Sequence, residues 1–172
     1  MKALKILFLL FWSAVSLAEA VTDTQLAVWA NEAIVATYTY DYKNFLQRQR
    51  DIAHYFSAEG WMAYSTALNA SKLPDAVMKN AYFVSAVATL PPQVKTLNTN
   101  QWQAVMPILV LYKNPQFQQT QSLTITMNFS AAPSGQGVRG FAINNLQAKT
   151  SAPPCECIPV QESTPPKSDN PS

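Results

Sequence analysis

The amino-acid sequence predicts an α+β domain: N-terminal helices packed on one face of a curved antiparallel sheet of three to four strands. Up to residue 79, apolar side chains recur at three- and four-residue spacing, which lines up one face of a helix. From Ala81 onward the spacing changes to two, the period of a strand. Pro91-Pro92, Asn114-Pro115 and Pro133-Ser134-Gly135-Gln136-Gly137 punctuate the second half, as residues that stop or turn a strand should.

Residues 1–20 precede the domain. Lys2 and Lys5 form a basic start, Ile6 to Leu17 is apolar, and Ala18-Glu19-Ala20 has small residues at both positions a signal peptidase reads. The apolar run is shorter than the roughly 20 residues a bilayer span needs. The expectation is a cleaved secretory signal with Val21 as the new N-terminus. Its alternative is an uncleaved segment that holds the chain in the inner membrane.

Residues 22–38 predict the first helix, capped by Asp23 or Thr24. Leu26, Trp29, Ala30, Ala33 and Thr37 form its packing stripe; Val28, Ile34 and Val35 lie off it. Tyr38-Thr39-Tyr40-Asp41-Tyr42 alternates like a strand, but helical sequence flanks it and Tyr38, Tyr42 and Leu46 are four apart. The spacing therefore favours a continuing or slightly broken helix. Residues 43–54 place Phe45, Leu46, Gln49, Ile52 and Ala53 on one side. Ser57 caps a further helix whose face carries Trp61, Tyr64 and Leu68, and Pro74 opens a short one.

In the second half, Tyr82, Val84 and Ala86 share a strand face up to Pro91. The strongest strand signal runs from Trp102 to Tyr112, with Ala104, Met106, Ile108 and Val110 in phase and Val105, Leu109 and Leu111 opposite. Pro107 within it lacks a ladder donor and predicts an edge or a bulge. Leu123, Ile125, Met127 and Phe129 define a half-buried strand, and Gly140 to Ile143 a short last one. The domain spans 21–149. Residues 150–172 are rich in proline and polar residues and predict a disordered tail.

The chain has 172 residues, a formal net charge of +2 and scattered charges, with no basic patch to follow a phosphate backbone. Nucleic acid is thus not an expected partner. Asp51 precedes the single histidine, His54, by three residues, but no serine has the setting of a nucleophile. A capping or surface histidine is the favoured reading, and the pairing of Asp41 with Glu59 carries no signal. No catalytic, cofactor or metal site is expected. In the tail, Cys155-Glu156-Cys157 forms a candidate disulfide in an oxidising compartment. Tyr38, Tyr40, Tyr42 and Trp61 are the candidate aromatics for a pocket or a partner surface.

Four stretches carry a family resemblance: Trp29-Ala30-Asn31-Glu32-Ala33 leading into Tyr38–Tyr42; Tyr55-Phe56-Ser57-Ala58-Glu59-Gly60-Trp61; Val84-Ser85-Ala86-Val87; and Trp102 to Val110 with Tyr112. Over roughly residues 25–145 the chain resembles the periplasmic part of the DotI/IcmL family of type IVB (Dot/Icm) secretion and conjugation systems. The resemblance implies an NTF2-like fold, similar to VirB-type scaffold proteins, without catalytic residues or cofactor. It implies an assembly role through contacts with other secretion-apparatus proteins, with self-association a further option. The cleavable leader departs from the anchored family pattern and points to a soluble secreted paralogue in the periplasm. The alternative expectation is a free-standing NTF2-like module that binds a small molecule.

Overall fold

Thr22 starts the first helix: its side chain accepts from the Gln25 N–H while the Gln25 side chain accepts from the Thr22 N–H. The cap is therefore Thr22, one residue ahead of the expected pair. The computed structural model describes residues 21–152. The leader at 1–20 and the tail from 153, with Cys155 and Cys157, lie outside the described residues.

In chain order the elements are α1 (Asp23–Thr37), β1 (Tyr40–Asp41), α2 (Phe45–Ala53), α3 (Ala58–Ala70), α4 (Leu73–Lys79), β2 (Phe83–Ala88), β3 (Gln93–Asn98), β4 (Gln101–Lys113), β5 (Gln118–Ala131) and β6 (Phe141–Thr150). The strands form one antiparallel sheet in the order β1-β2-β4-β5-β6, with β3 also paired to β4. The sheet has six strands, not three to four. β1 is only two residues long, and β3 is almost wholly exposed, so neither shows an apolar alternation.

The α+β class and the curled, helix-covered sheet stand as read. Leu26, Trp29, Ala30, Ala33 and Thr37 are all buried, and so is Ile34 beside them. Ala104, Met106, Ile108 and Val110 of β4 meet Ile125, Met127 and Phe129 of β5 on the inner face. At one end of the core, Trp29 stacks on Phe129 at 5.0 Å, and Trp102 and Phe141 complete an aromatic plug.

Three local expectations fail for physical reasons. Tyr38–Tyr42 does not continue the helix. Asp41 Oδ1 accepts from the N–H groups of Lys43 and Asn44, an Asx turn that breaks the chain, and Tyr40 and Asp41 pair instead with Val84 and Phe83. Leu46 is 72% exposed, because α2 buries only Phe45 and Ile52. Pro107 lies in the central strand β4; its carbonyl accepts from Thr89, so its missing donor falls at the end of the β2 ladder, just before Pro91-Pro92. The last strand also runs to Thr150 instead of stopping at Ile143.

Candidate functional site at the tyrosine cavity

Opposite the aromatic plug, helices and sheet do not close. A cavity of about 580 Å³ lies between α3, the Tyr38–Tyr40 corner, the far end of β4 and the outer half of β6. Four elements place a tyrosine on it: Tyr38 at the end of α1, Tyr40 on β1, Tyr64 on α3 and Tyr112 on β4. Ala63, Ala67, Leu68, Leu73, Leu123 and Leu146 supply apolar wall.

The local sequence explains this convergence. α1 ends at Thr37 with Tyr38 as its cap, β1 then pairs with β2, turning Tyr40 into the core, and the Asx turn at Asp41 leads the chain on into α2. Tyr112 continues the inward phase of β4 past Val110. Tyr64 is held on α3, which is locked to the sheet from its first turn: Ser57 N–H donates to Ile143 O at 2.9 Å, and Ile143 N–H to Tyr55 O at 2.7 Å. Ser57 Oγ accepts from Gly60 N–H at 3.1 Å, the expected cap.

Burial pushes the Tyr38, Tyr40 and Tyr64 phenols well above their ordinary value of 10, and the neighbouring phenols add to it. Burial raises Tyr112 as well. These four hydroxyls stay neutral wherever the protein is folded at ordinary pH.

Of the four aromatics read from the sequence, Tyr38 and Tyr40 line the cavity. Tyr42 does not; it packs edge-on against Phe83 at 5.5 Å, with the Lys43 ammonium 5.6 Å from its ring centre. Trp61 belongs to a cluster with Phe56 and Tyr64 at 5.6 and 5.7 Å. Tyr64 and Tyr112 were missed, although both occupy inward phases of their elements and that phase was the available signal. His54 ends α2 exposed, and Asp51 bonds Gln47 and faces Arg48, so no His–Asp pair forms. Neither borders the cavity.

A second polar cluster ties the opposite end together. Glu32 of α1 accepts from the Tyr55 hydroxyl at 2.7 Å and pairs with the Arg139 guanidinium. Trp29 Nε1–H donates to Val138 O at 2.9 Å. Both contacts pin the β5–β6 turn onto α1. The Tyr55 hydroxyl, and then Arg139, hold the Glu32 carboxyl below its usual 4.5 against the opposing effect of burial.

The family model for an inner-membrane complex component of the type IVb secretion system, DotI/IcmL, matches residues 14–150. The chain belongs to the DotI/IcmL family. An IcmL-like type IV secretion system protein from Legionella pneumophila subsp. pneumophila strain Philadelphia 1 is 61% identical, with a TM-score of 0.78 over 80% of this chain and 99% of that one. The periplasmic domain of DotI is 31% identical, with a TM-score of 0.72 over 78% of this chain and 99% of that one. An NTF2-like superfamily protein from Salmonella enterica serovar Typhimurium strain LT2 shares the fold at 12% identity, with a TM-score of 0.53 over 83% of this chain and 100% of that one. No curated protein matches the sequence. The chain is thus an NTF2-like DotI/IcmL protein of type IV secretion. Among the described residues, no helix is long and apolar enough to cross a membrane.

Proposed function

We propose that this DotI/IcmL protein is a non-enzymatic component or accessory of a type IVB secretion or conjugation apparatus, acting in the periplasm through contacts with other apparatus proteins. The observation that carries the reading is the 31% identity with the DotI periplasmic domain across nearly all of that domain. Residues 1–20 then export the chain and are removed, leaving the domain and its Cys155–Cys157 tail in an oxidising compartment.

The sheet supplies a surface for such contacts. Its outer face carries Val105, Leu109 and Leu111 on β4, with Phe83 and Val87 beside them on β2, 47% and 57% exposed. Among the described residues the helices pack on the inner face and leave this one open. The placement of His54 and Asp51 away from the cavity supports a role without catalysis.

Cross-linking followed by recovery of the full chain from cells that carry a type IVB system tests the proposal. Apparatus proteins should be recovered with it. Recovery of the chain alone would overturn the reading. Intact mass of the recovered protein should begin at Val21; a mass that includes Met1 to Ala20 would replace the exported form by an anchored one.

A further inference from the structure

We propose that the tyrosine cavity is a binding site for an uncharged amphiphile: a molecule with an apolar body and several oxygen acceptors. The volume, about 580 Å³, is within the roughly 300–1,000 Å³ of small-molecule sites. The walls divide by chemistry. Leu68, Leu73, Leu123 and Leu146 present apolar surface, whereas Tyr38, Tyr40, Tyr64 and Tyr112 present hydroxyls.

None of the four hydroxyls has a hydrogen-bond partner among the described residues, in contrast to Tyr55, whose hydroxyl is held by Glu32. Tyr40 is only 5% exposed and borders this cavity. Among the described residues, the buried side-chain polar atom left without a partner is Gln49 Nε2 and not a tyrosine hydroxyl, so the four phenols are not sealed in the core but stay accessible from the cavity for a hydrogen bond. A ligand whose oxygens accept from these phenols satisfies all of them from within the cavity.

The absence of charge among the lining residues selects against ions. Among the described residues, no Asp, Glu, Lys, Arg or His borders the cavity. A carboxylate, phosphate or ammonium would enter without a counter-charge and would not recover its lost hydration. Neutral phenols can donate to an ester, ether or alcohol oxygen and accept from a hydroxyl in return. Gln121, Asn145 and Gln147 at the β5–β6 wall extend the same uncharged hydrogen-bonding character.

The test uses the full chain and the uncharged dye N-phenyl-1-naphthylamine, whose fluorescence rises in apolar sites. Displacement is compared for 1-monolauroylglycerol, laurate and dodecyltrimethylammonium, which share a chain length and differ in head-group charge. The uncharged ester should displace the dye at a concentration at least about tenfold lower than either ion. The double variant Tyr38→Phe/Tyr64→Phe removes two donors and no volume. It should weaken the ester about tenfold, a few-fold for each lost hydrogen bond, and leave dye affinity and thermal unfolding at neutral pH unchanged. Tyr42→Phe, outside the cavity, should change nothing. Equal displacement by the ions, an unaltered ester affinity in the double variant, or no dye uptake would each overturn the proposal. None of these outcomes depends on secretion partners, which the cross-linking experiment addresses separately.

Discussion

Gly60 lies so close to the β6 backbone that a Cβ built on it would stand 2.3 Å from the Ile143 carbonyl oxygen. The obstacle is main chain already held by Ser57, so it cannot swing aside as a side chain would. This contact seats α3 and thereby fixes one wall of the tyrosine cavity. Glycine is the poorest non-proline helix former, and alanine there should gain about 1 kcal/mol from propensity alone. The clash outweighs that gain. Gly60→Ala should lower stability by roughly 1–3 kcal/mol, the range for overpacked sites, as read by urea unfolding. A stabilised variant would show that α3 is not pressed on β6 at this residue.

The Glu32 cluster gives a pH dependence with a definite sign. Its folded-state carboxyl is held below 4.5, so its contribution to stability is complete above that value. The contribution is lost as pH falls through the lower folded value, where the unfolded chain gains a proton first. Wild type should therefore lose stability more steeply than Glu32→Gln below about pH 4.5. Urea unfolding of both proteins at a series of acid pH values measures the difference. Parallel curves would remove Glu32 from the account.

The cavity tyrosines act at the other end of the scale. Their phenols are raised above 10, so the folded protein keeps them protonated while the unfolded chain ionises. Their presence leaves stability unaffected below about pH 10 and lowers it above. Tyr38→Phe/Tyr64→Phe should accordingly reduce the loss of thermal stability between about pH 10 and 11. An unchanged alkaline profile would contradict their burial.

Trp29 joins the core to the β5–β6 turn. Trp29→Phe preserves an aromatic ring beside Phe129 and Phe141 but removes the donor to Val138 O. A lost hydrogen bond of this kind costs about 1–2 kcal/mol. Hydrogen exchange at Val138, Arg139 and Phe141 should accelerate while the centres of β4 and β5 keep their protection. Uniform acceleration would mean that the tryptophan supports the whole core equally.

The core was legible wherever one periodicity extended over a long element. The stripe of α1 could be read because its buried residues recur every three to four positions, and the inner faces of β4 and β5 because their side chains alternate between core and exterior. β3 was not legible, since it pairs through its backbone while its side chains stay outside. Tyr40 and Asp41 were misassigned because the signal for β1 is a side-chain turn at Asp41, which four-residue spacing does not register. Half of the cavity's tyrosines were read for a related reason. Tyr38 and Tyr40 are neighbours in sequence, whereas Tyr64 and Tyr112 reach the same space only when α3 and β4 are brought together.

Photo-cross-linking from the outer sheet face tests the central claim most directly. A photoreactive residue at Val87, in cells with a type IVB system, should give a discrete adduct with another apparatus protein. The same residue at Gln116, in the turn between β4 and β5, should give none. Adducts from neither site, or equal adducts from both, would contradict a role exercised through that face.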